Sequence, residues 1–76
     1  MNKKQRNTIE SWVEQLDEIK ENMENMRDEE QEKFDNMPEG LQESEKGELM
    51  SDAIDNLDSA IDSIGETIDY LREVTE

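Results

Sequence analysis

Three aspartates recur at seven-residue spacing in the second half of the chain, and carboxylates are the most abundant groups here that could do chemistry. Asp55, Asp62 and Asp69 occupy one position of the near-repeat AIDNLDSAIDSIGETIDYLRE. Paired carboxylates can act as general acid and base when burial raises the pKa of one of them. None of these aspartates is predicted to be buried. We therefore expect them to form a surface and not a catalytic pair.

Most other residue types needed for catalysis or metal binding are absent. The sequence has no histidine and no cysteine, which removes the commonest general base and the commonest transition-metal ligands. Residues 35–46 resemble a calcium-binding loop at Asp35 and Gly40, but Met37 and Lys46 stand where the third and twelfth positions need ligands. No phosphate-binding loop or nucleophile motif occurs. We expect no enzymatic activity, no cofactor and no metal site.

The composition is close to that of a disordered chain. Hydrophobic residues make up 30% of the sequence and charged residues 41%, with a net charge of −15. The apolar residues are regularly spaced, however, which predicts folded helices. A chain of 76 residues forms one domain at most, buries little surface alone and has no disulfide to help, so we expect self-association.

The acidity indicates which partners to expect. It opposes binding to nucleic acid or to an anionic membrane surface, and it favours a protein with a basic surface. No apolar run is long enough to span a bilayer, and no signal-peptide core follows Met1. We therefore expect a protein of the cytoplasm that contacts no membrane and no nucleic acid directly.

Two rows of apolar residues, each spaced alternately by three and four, predict two helices. Such spacing marks positions a and d of the heptad abcdefg in a coiled coil, with Leu16 at a in the first helix and Ile54 at a in the second. Pro38 and Gly40 interrupt the pattern between them. We predict a helix over about 5–35, a turn over about 36–47 and a helix over about 48–74. The rows are Ile9, Trp12, Leu16, Ile19, Met23 and Met26, then Met50, Ile54, Leu57, Ile61, Ile64, Ile68 and Leu71.

The two rows fit together as an antiparallel hairpin when residue numbers that sum to about 83 are paired. The fold class is then all-α, an antiparallel two-helix coiled coil forming a single domain. In this register Arg27 can approach Asp58 across one flank. The expected apolar pairs are Met26 with Leu57, Ile19 with Ile64, and Trp12 with Leu71.

A stripe of small residues at position g of the second helix predicts a dimer. One contact between two helices leaves apolar area uncovered, and small side chains allow another helix to approach closely. We expect this stripe to pack on a second copy and give a four-helix bundle. The alternative is that the alanines only favour helix formation. The residues expected to self-associate are Ala53, Leu57, Ala60, Ile64, Thr67, Leu71 and Val74.

Carboxylates line the outer positions b and f of both helices, and we call these two columns the acidic ridges. A helix of 30 residues is about 45 Å long, so fifteen net charges give roughly one per 3 Å, against one per about 1.7 Å in duplex DNA. A protein that binds phosphates could therefore bind the ridges; the alternative is that they only confer solubility. The expected partner-binding residues are Asp55, Asp62, Glu66 and Asp69 in the second helix, and Glu14, Asp17, Glu21 and Glu24 in the first.

The segments RDEEQEKFDNMPEGLQESEKGE and AIDNLDSAIDSIGETIDYL resemble a family of short acidic helical-hairpin proteins encoded by phages and mobile elements of Gram-positive bacteria. The resemblance covers most of the chain after about Met26. It implies a small accessory protein in the cytoplasm of a phage-infected bacterium. It transfers no functional residues, because the family has no settled activity.

The phage origin that the resemblance implies and the strong acidity together favour a protein that binds and inhibits a host protein. The target would be one with a basic surface, such as a defence protein that handles nucleic acid, and the acidic ridges would mimic the nucleic acid. The alternative is a structural or adaptor coiled coil that docks partner helices through its apolar stripe. A third question concerns the turn, where Met37 and Leu41 either fold back onto the end of the hairpin or form a recognition tip.

Overall fold

In the computed structural model, which describes all residues from Met1 to Glu76, the chain folds into three helices. Helix α1 spans Lys3–Asp35, α2 spans Glu39–Gln42 and α3 spans Glu45–Thr75. The molecule measures 58 × 14 × 13 Å, and α1 and α3 pack along each other. The predicted all-helical architecture is confirmed.

Helix α1 begins with a reciprocal cap that orders the basic N-terminus. The Asn2 side chain accepts a hydrogen bond from the backbone N–H of Gln5 at 2.7 Å, and the Gln5 side chain accepts one from the Asn2 N–H at 3.1 Å. Lys3 and Lys4 oppose the dipole of the helix here, and this capping box offsets that cost by satisfying two free N–H groups. The helix therefore starts slightly earlier than the sequence pattern predicts.

The core is a single narrow row in which the isoleucines of α3 face α1. Ile54, Ile61 and Ile68 are 5%, 6% and 2% exposed. Only two apolar residues of α1, Ile9 and Val13, are buried to a similar degree. The predicted contact row of α3 is confirmed, with Leu57, Ile64 and Leu71 half-buried beside it.

The predicted contact row of α1 is wrong at its d positions. Trp12, Ile19 and Met26 are 50%, 48% and 58% exposed, so they do not form the buried pairs expected with Leu71, Ile64 and Leu57. Apart from Glu24, the α1 residues that are buried or half-buried instead follow positions a and e: Ile9, Val13, Leu16, Lys20, Met23, Arg27, Glu30 and Phe34.

This rotation of α1 has a physical reason in the long basic side chains at position e. The charged end of Lys20 lies over Gly65, where an added Cβ would be 3.7 Å from Nζ and 3.8 Å from Cε, in ordinary van der Waals contact. Arg27 donates a hydrogen bond to Asp58 at 3.0 Å, so that expected contact is confirmed. Aliphatic stems can cover apolar surface while their charged ends reach an acid or water.

The turn between the long helices contains the short helix α2, which the sequence pattern did not predict. Pro38 precedes its first turn. The Gln42 side-chain amide donates to the backbone carbonyls of Phe34 at 2.9 Å and Met37 at 3.2 Å, which ties α2 to the end of α1. Met37 is half-buried, but Leu41 is 52% exposed, so Leu41 does not fold back onto the hairpin.

Helix α3 begins at a tight junction with α2. The Ser44 hydroxyl accepts from the backbone N–H of Gly47 at 3.3 Å and donates to the carbonyl of Leu41. Gly47 is buried, and a Cβ at this position would clash with the carbonyl oxygens of Leu41 and Gln42. The junction therefore requires glycine at position 47, because the two carbonyl groups leave no room for a side chain there.

Gly47→Ala should destabilise the fold by about 1–3 kcal/mol, because the added methyl group forces the α2–α3 junction apart. Thermal and urea unfolding followed by circular dichroism measures the change. Gly40→Ala is the matched control, since a Cβ at Gly40 meets nothing within 4 Å and alanine favours the helix by up to about 1 kcal/mol. Equal stability of the two variants would contradict the role given to Gly47.

Candidate functional site

One side of the hairpin is marked by an ion-paired arginine that bridges the two long helices. The Arg27 guanidinium contacts Asp58 at 3.0 Å and Asp28 at 3.1 Å. The hydrogen bonds that Arg27 donates, to Asp58 first and to Asp28 second, raise the pKa of Arg27 above its ordinary value. We call this side of the hairpin the acidic face.

A shallow groove on the acidic face brings together four of the predicted ridge residues. Lys20 and Arg27 also line this groove. Asp55 lies one heptad nearer the turn and does not line it. The four are Glu24, Asp62, Glu66 and Asp69.

The three remaining predicted ridge residues, all in α1, differ in whether a cation of the chain already pairs with them. Asp17 accepts a hydrogen bond from Arg72 at 3.2 Å, so a cation of the chain itself already occupies it. Glu14 and Glu21 are exposed and have no such partner. Exposed ion pairs contribute only about 0–1 kcal/mol each, so a stronger basic partner can displace Arg72.

Two lysines of α1 pair with glutamates of the same helix. Lys20 lies 4.0 Å from Glu24, and Lys33 lies 3.3 Å from Glu30. The sequence pattern assigned Glu24 and Asp17 to the acidic ridges but did not predict their ion pairs with Lys20 and Arg72. The cations at position e, next to the contact row, were the signal that could have revealed the pairing.

On the opposite side of the hairpin the surface of α3 is free of charge, whereas α1 carries Glu29 at position g and Glu18 and Glu32 at position c. We call this side the neutral face. Met26 directly precedes Arg27, so it projects about 100° away around the helix, toward the side opposite the Arg27–Asp58 contact. Trp12 and Ile19 share that direction because they lie at seven-residue spacing. Along α3 the positions on this side hold no charged residue between 50 and 74: Met50, Ala53, Asn56, Leu57, Ala60, Ser63, Ile64, Thr67, Tyr70, Leu71 and Val74.

The neutral face collects most of the large apolar side chains that remain exposed. It includes every residue predicted to self-associate, and all of these are exposed or half-buried. The row at Trp12, Ile19 and Met26 was assigned to the core by the sequence pattern, so its place on this face is new. The exposed large apolar residues on the face are Trp12, Ile19, Met26, Leu49, Tyr70 and Val74.

The exposed area of the chain is large for its mass. The accessible surface is 5787 Å², whereas a compact monomer of 8.9 kDa exposes about 4,800 Å². The difference of about 1,000 Å² is close to the roughly 800 Å² that each partner buries in a standard protein interface. The elongated hairpin therefore has enough spare surface to form a stable interface.

No segment of either long helix is both long and apolar enough to cross a membrane. No group of three or more acidic side chains has the arrangement of a metal site. Comparison of the chain with protein-family models, with curated proteins and with solved structures finds no match.

Proposed function

We propose that the protein is a non-enzymatic binding protein whose acidic face occupies a basic surface on another protein. The observation that supports this proposal is the segregation of charge, with the acidic groove on one side of the hairpin and an uncharged surface of α3 on the other. A solubilising charge has no need to be confined to one side. Binding to a basic surface, in contrast, is favoured when carboxylates cluster on one side, as four of them do in the groove beside Lys20 and Arg27.

The partner we propose is a protein that normally binds nucleic acid. Asp55, Asp62 and Asp69 repeat every seven residues and extend over about 21 Å at 1.5 Å per residue. Their carboxylates accept the same charge-assisted hydrogen bonds from arginine and lysine that phosphates accept. Glu66 lies in the groove beside them, and Glu14 and Glu21 provide free carboxylates on α1.

The biological setting we propose follows from the resemblance to the phage-encoded hairpin proteins. The chain would act as an accessory protein in the cytoplasm of a Gram-positive host. It would inhibit a host protein, such as an anti-phage defence protein, by blocking the surface that binds nucleic acid. The acidic field would speed association with a basic target, and added salt would weaken it.

Reversing the three repeated aspartates should abolish partner capture. In the variant Asp55→Lys/Asp62→Lys/Asp69→Lys we expect unchanged helicity by circular dichroism and loss of the protein that the wild-type chain captures from host lysate. Mass spectrometry identifies that protein, and its purified form then gives the affinity. Wild-type binding should also weaken steeply between low and high salt.

The control for the triple reversal has the same change in net charge at other positions. Glu39→Lys/Glu43→Lys/Glu76→Lys places the lysines in α2, at its C-cap and just beyond α3, outside the groove and outside the acidic ridges of the two long helices. It should retain binding to the captured protein. Full binding by the ridge variant, or equal loss in both variants, would contradict recognition by the acidic face.

A second function is favoured by the exposed row at Trp12, Ile19 and Met26. In this alternative the protein is a structural or adaptor coiled coil that docks partner helices on its neutral face, and the acidic residues serve solubility. Partner binding would then depend weakly on salt. Asp62→Lys would leave it intact, and Ala60→Glu would abolish it.

We further propose that the neutral face binds a second copy of the chain and forms a four-helix bundle. The spare area and the exposed apolar residues support this step, and the absence of charge on α3 lets two strongly acidic chains approach there. Sedimentation equilibrium should give twice the chain mass at micromolar concentration. Ala60→Glu should give a monomer because it places a charge in the interface, whereas the matched variant Asp62→Lys should remain a dimer. A wild-type chain that stays monomeric at high micromolar concentration would overturn self-association.

A further inference from the structure

We infer that the second copy packs on the neutral face in the antiparallel sense, α1 on α1 and α3 on α3, around a two-fold axis that passes Ile19 and Ile64. This inference rests on the proposed self-association and specifies how the two copies are oriented relative to each other. Two arrangements bury the neutral face of both copies. In one the turns lie at opposite ends of the bundle, and in the other they lie at the same end.

The residues of α1 on the neutral face are self-complementary about Ile19. Trp12 precedes it by seven residues and Met26 follows it by seven. In a dimer with a two-fold axis, if one residue of the first copy contacts a different residue of the second copy, the reciprocal contact also forms. With the axis at Ile19, Trp12 meets the partner's Met26, and the two copies of Ile19 meet each other.

The neighbouring polar row of α1 matches in the same way. Gln15 and Asn22 lie at position g, on either side of the level of Ile19. About the same axis Gln15 meets the partner's Asn22, so amide groups face amide groups. With the turns at the same end, α1 would instead face α3 of the other copy, and these amides would meet the small apolar stripe at Ala60.

Helix α3 has the same symmetry at the same level. Leu57 and Leu71 lie seven residues before and after Ile64. The contact of Lys20 with the position of Gly65 places Ile19 level with Ile64 across the hairpin. One axis therefore relates Leu57 to the partner's Leu71 and the two copies of Ile64 to each other, and it leaves Met50 without a counterpart in the partner's row.

The distribution of charge along the hairpin favours the antiparallel sense. The open end has the basic cluster Lys3, Lys4 and Arg6, and the turn end is acidic. With the turns at opposite ends, the basic cluster of one copy lies beside the acidic turn end of the other. With the turns together, the two acidic turn ends lie side by side, which is unfavourable. At the open end the basic cluster would then face the C-terminal end of α3 in the other copy, which holds Asp69, Glu73 and Glu76, so the turn ends alone disfavour this arrangement.

One predicted contact makes this complementarity specific. Lys4 lies 15 residues before Ile19 and Glu32 lies 13 residues after it, both at the c position that borders the neutral face. In the antiparallel dimer Lys4 therefore comes within reach of the partner's Glu32, with an offset of about 3 Å along the axis at 1.5 Å per residue. Glu18, also at c, lies as close to the partner's Glu18, and the two symmetry-related Lys4–Glu32 pairs offset this one like-charge contact.

Single-cysteine variants test the orientation cleanly because the chain has no cysteine of its own. Ile19→Cys should form a disulfide-linked dimer on mild oxidation, since the two copies of this residue meet at the axis. Asp17→Cys, on the acidic side, should not. A mixture of Gln15→Cys and Asn22→Cys, which leaves the apolar row intact, should cross-link the unlike chains at least tenfold faster than either variant links to itself.

The outcomes separate the orientation from self-association. If Ile19→Cys links instead to Ile64→Cys in a mixture and not to itself, the turns lie at the same end, and the inferred orientation is wrong while the dimer stands. If sedimentation of the wild-type chain gives a monomer, both fall. The antiparallel packing would also be overturned if the variants remain dimeric but neither Ile19→Cys alone nor the mixture of Gln15→Cys and Asn22→Cys forms a cross-link.

Discussion

The contact between the isoleucine row of α3 and helix α1 is the interaction on which the rest of the structure depends. Ile54, Ile61 and Ile68 are the most deeply buried residues of α3 that are not glycine, and they repeat every seven residues. Once this row faces α1, every other position of α3 has a fixed direction. The aspartate after each isoleucine turns toward one side, and the small residue before each turns toward the other.

This single constraint produces a molecule with two unlike faces from a repeat of seven residues. In AIDNLDS and AIDSIGE the order of alanine, isoleucine and aspartate places an uncharged, a buried and an acidic residue at successive 100° steps. The acidic residues thereby leave one side of α3 free of charge. A chain with a net charge of −15 can associate with itself only through such a surface, since elsewhere like charges repel.

Much of the fold could be predicted from the sequence because α3 has one apolar row and no competitor. Helix α1 was ambiguous, since Ile9, Leu16 and Met23 belong equally to a row completed by Trp12 and Ile19 and to a row completed by Val13 and Lys20. Hydrophobicity favours the first row, and the structure adopts the second. The deciding factors are tertiary: the end of Lys20 reaches across to Gly65 on α3, and Arg27 pairs with Asp58. Neither of these contacts with α3 can be predicted from the spacing of apolar residues within α1. The position of the acidic residues outside the contact row was predictable, but the ion pair of Asp17 with Arg72 depended on how the helices meet.

The fluorescence of Trp12 tests the proposed role of the neutral face most directly. It is the one tryptophan of the chain, and it is 50% exposed in the single hairpin. If a second copy covers the neutral face, the emission should lie at short wavelength at micromolar concentration and shift to longer wavelength on dilution, and Ala60→Glu should show the long-wavelength emission throughout. Emission at the same long wavelength for the wild-type chain at every concentration, up to high micromolar, would contradict the closure of this face by a second copy.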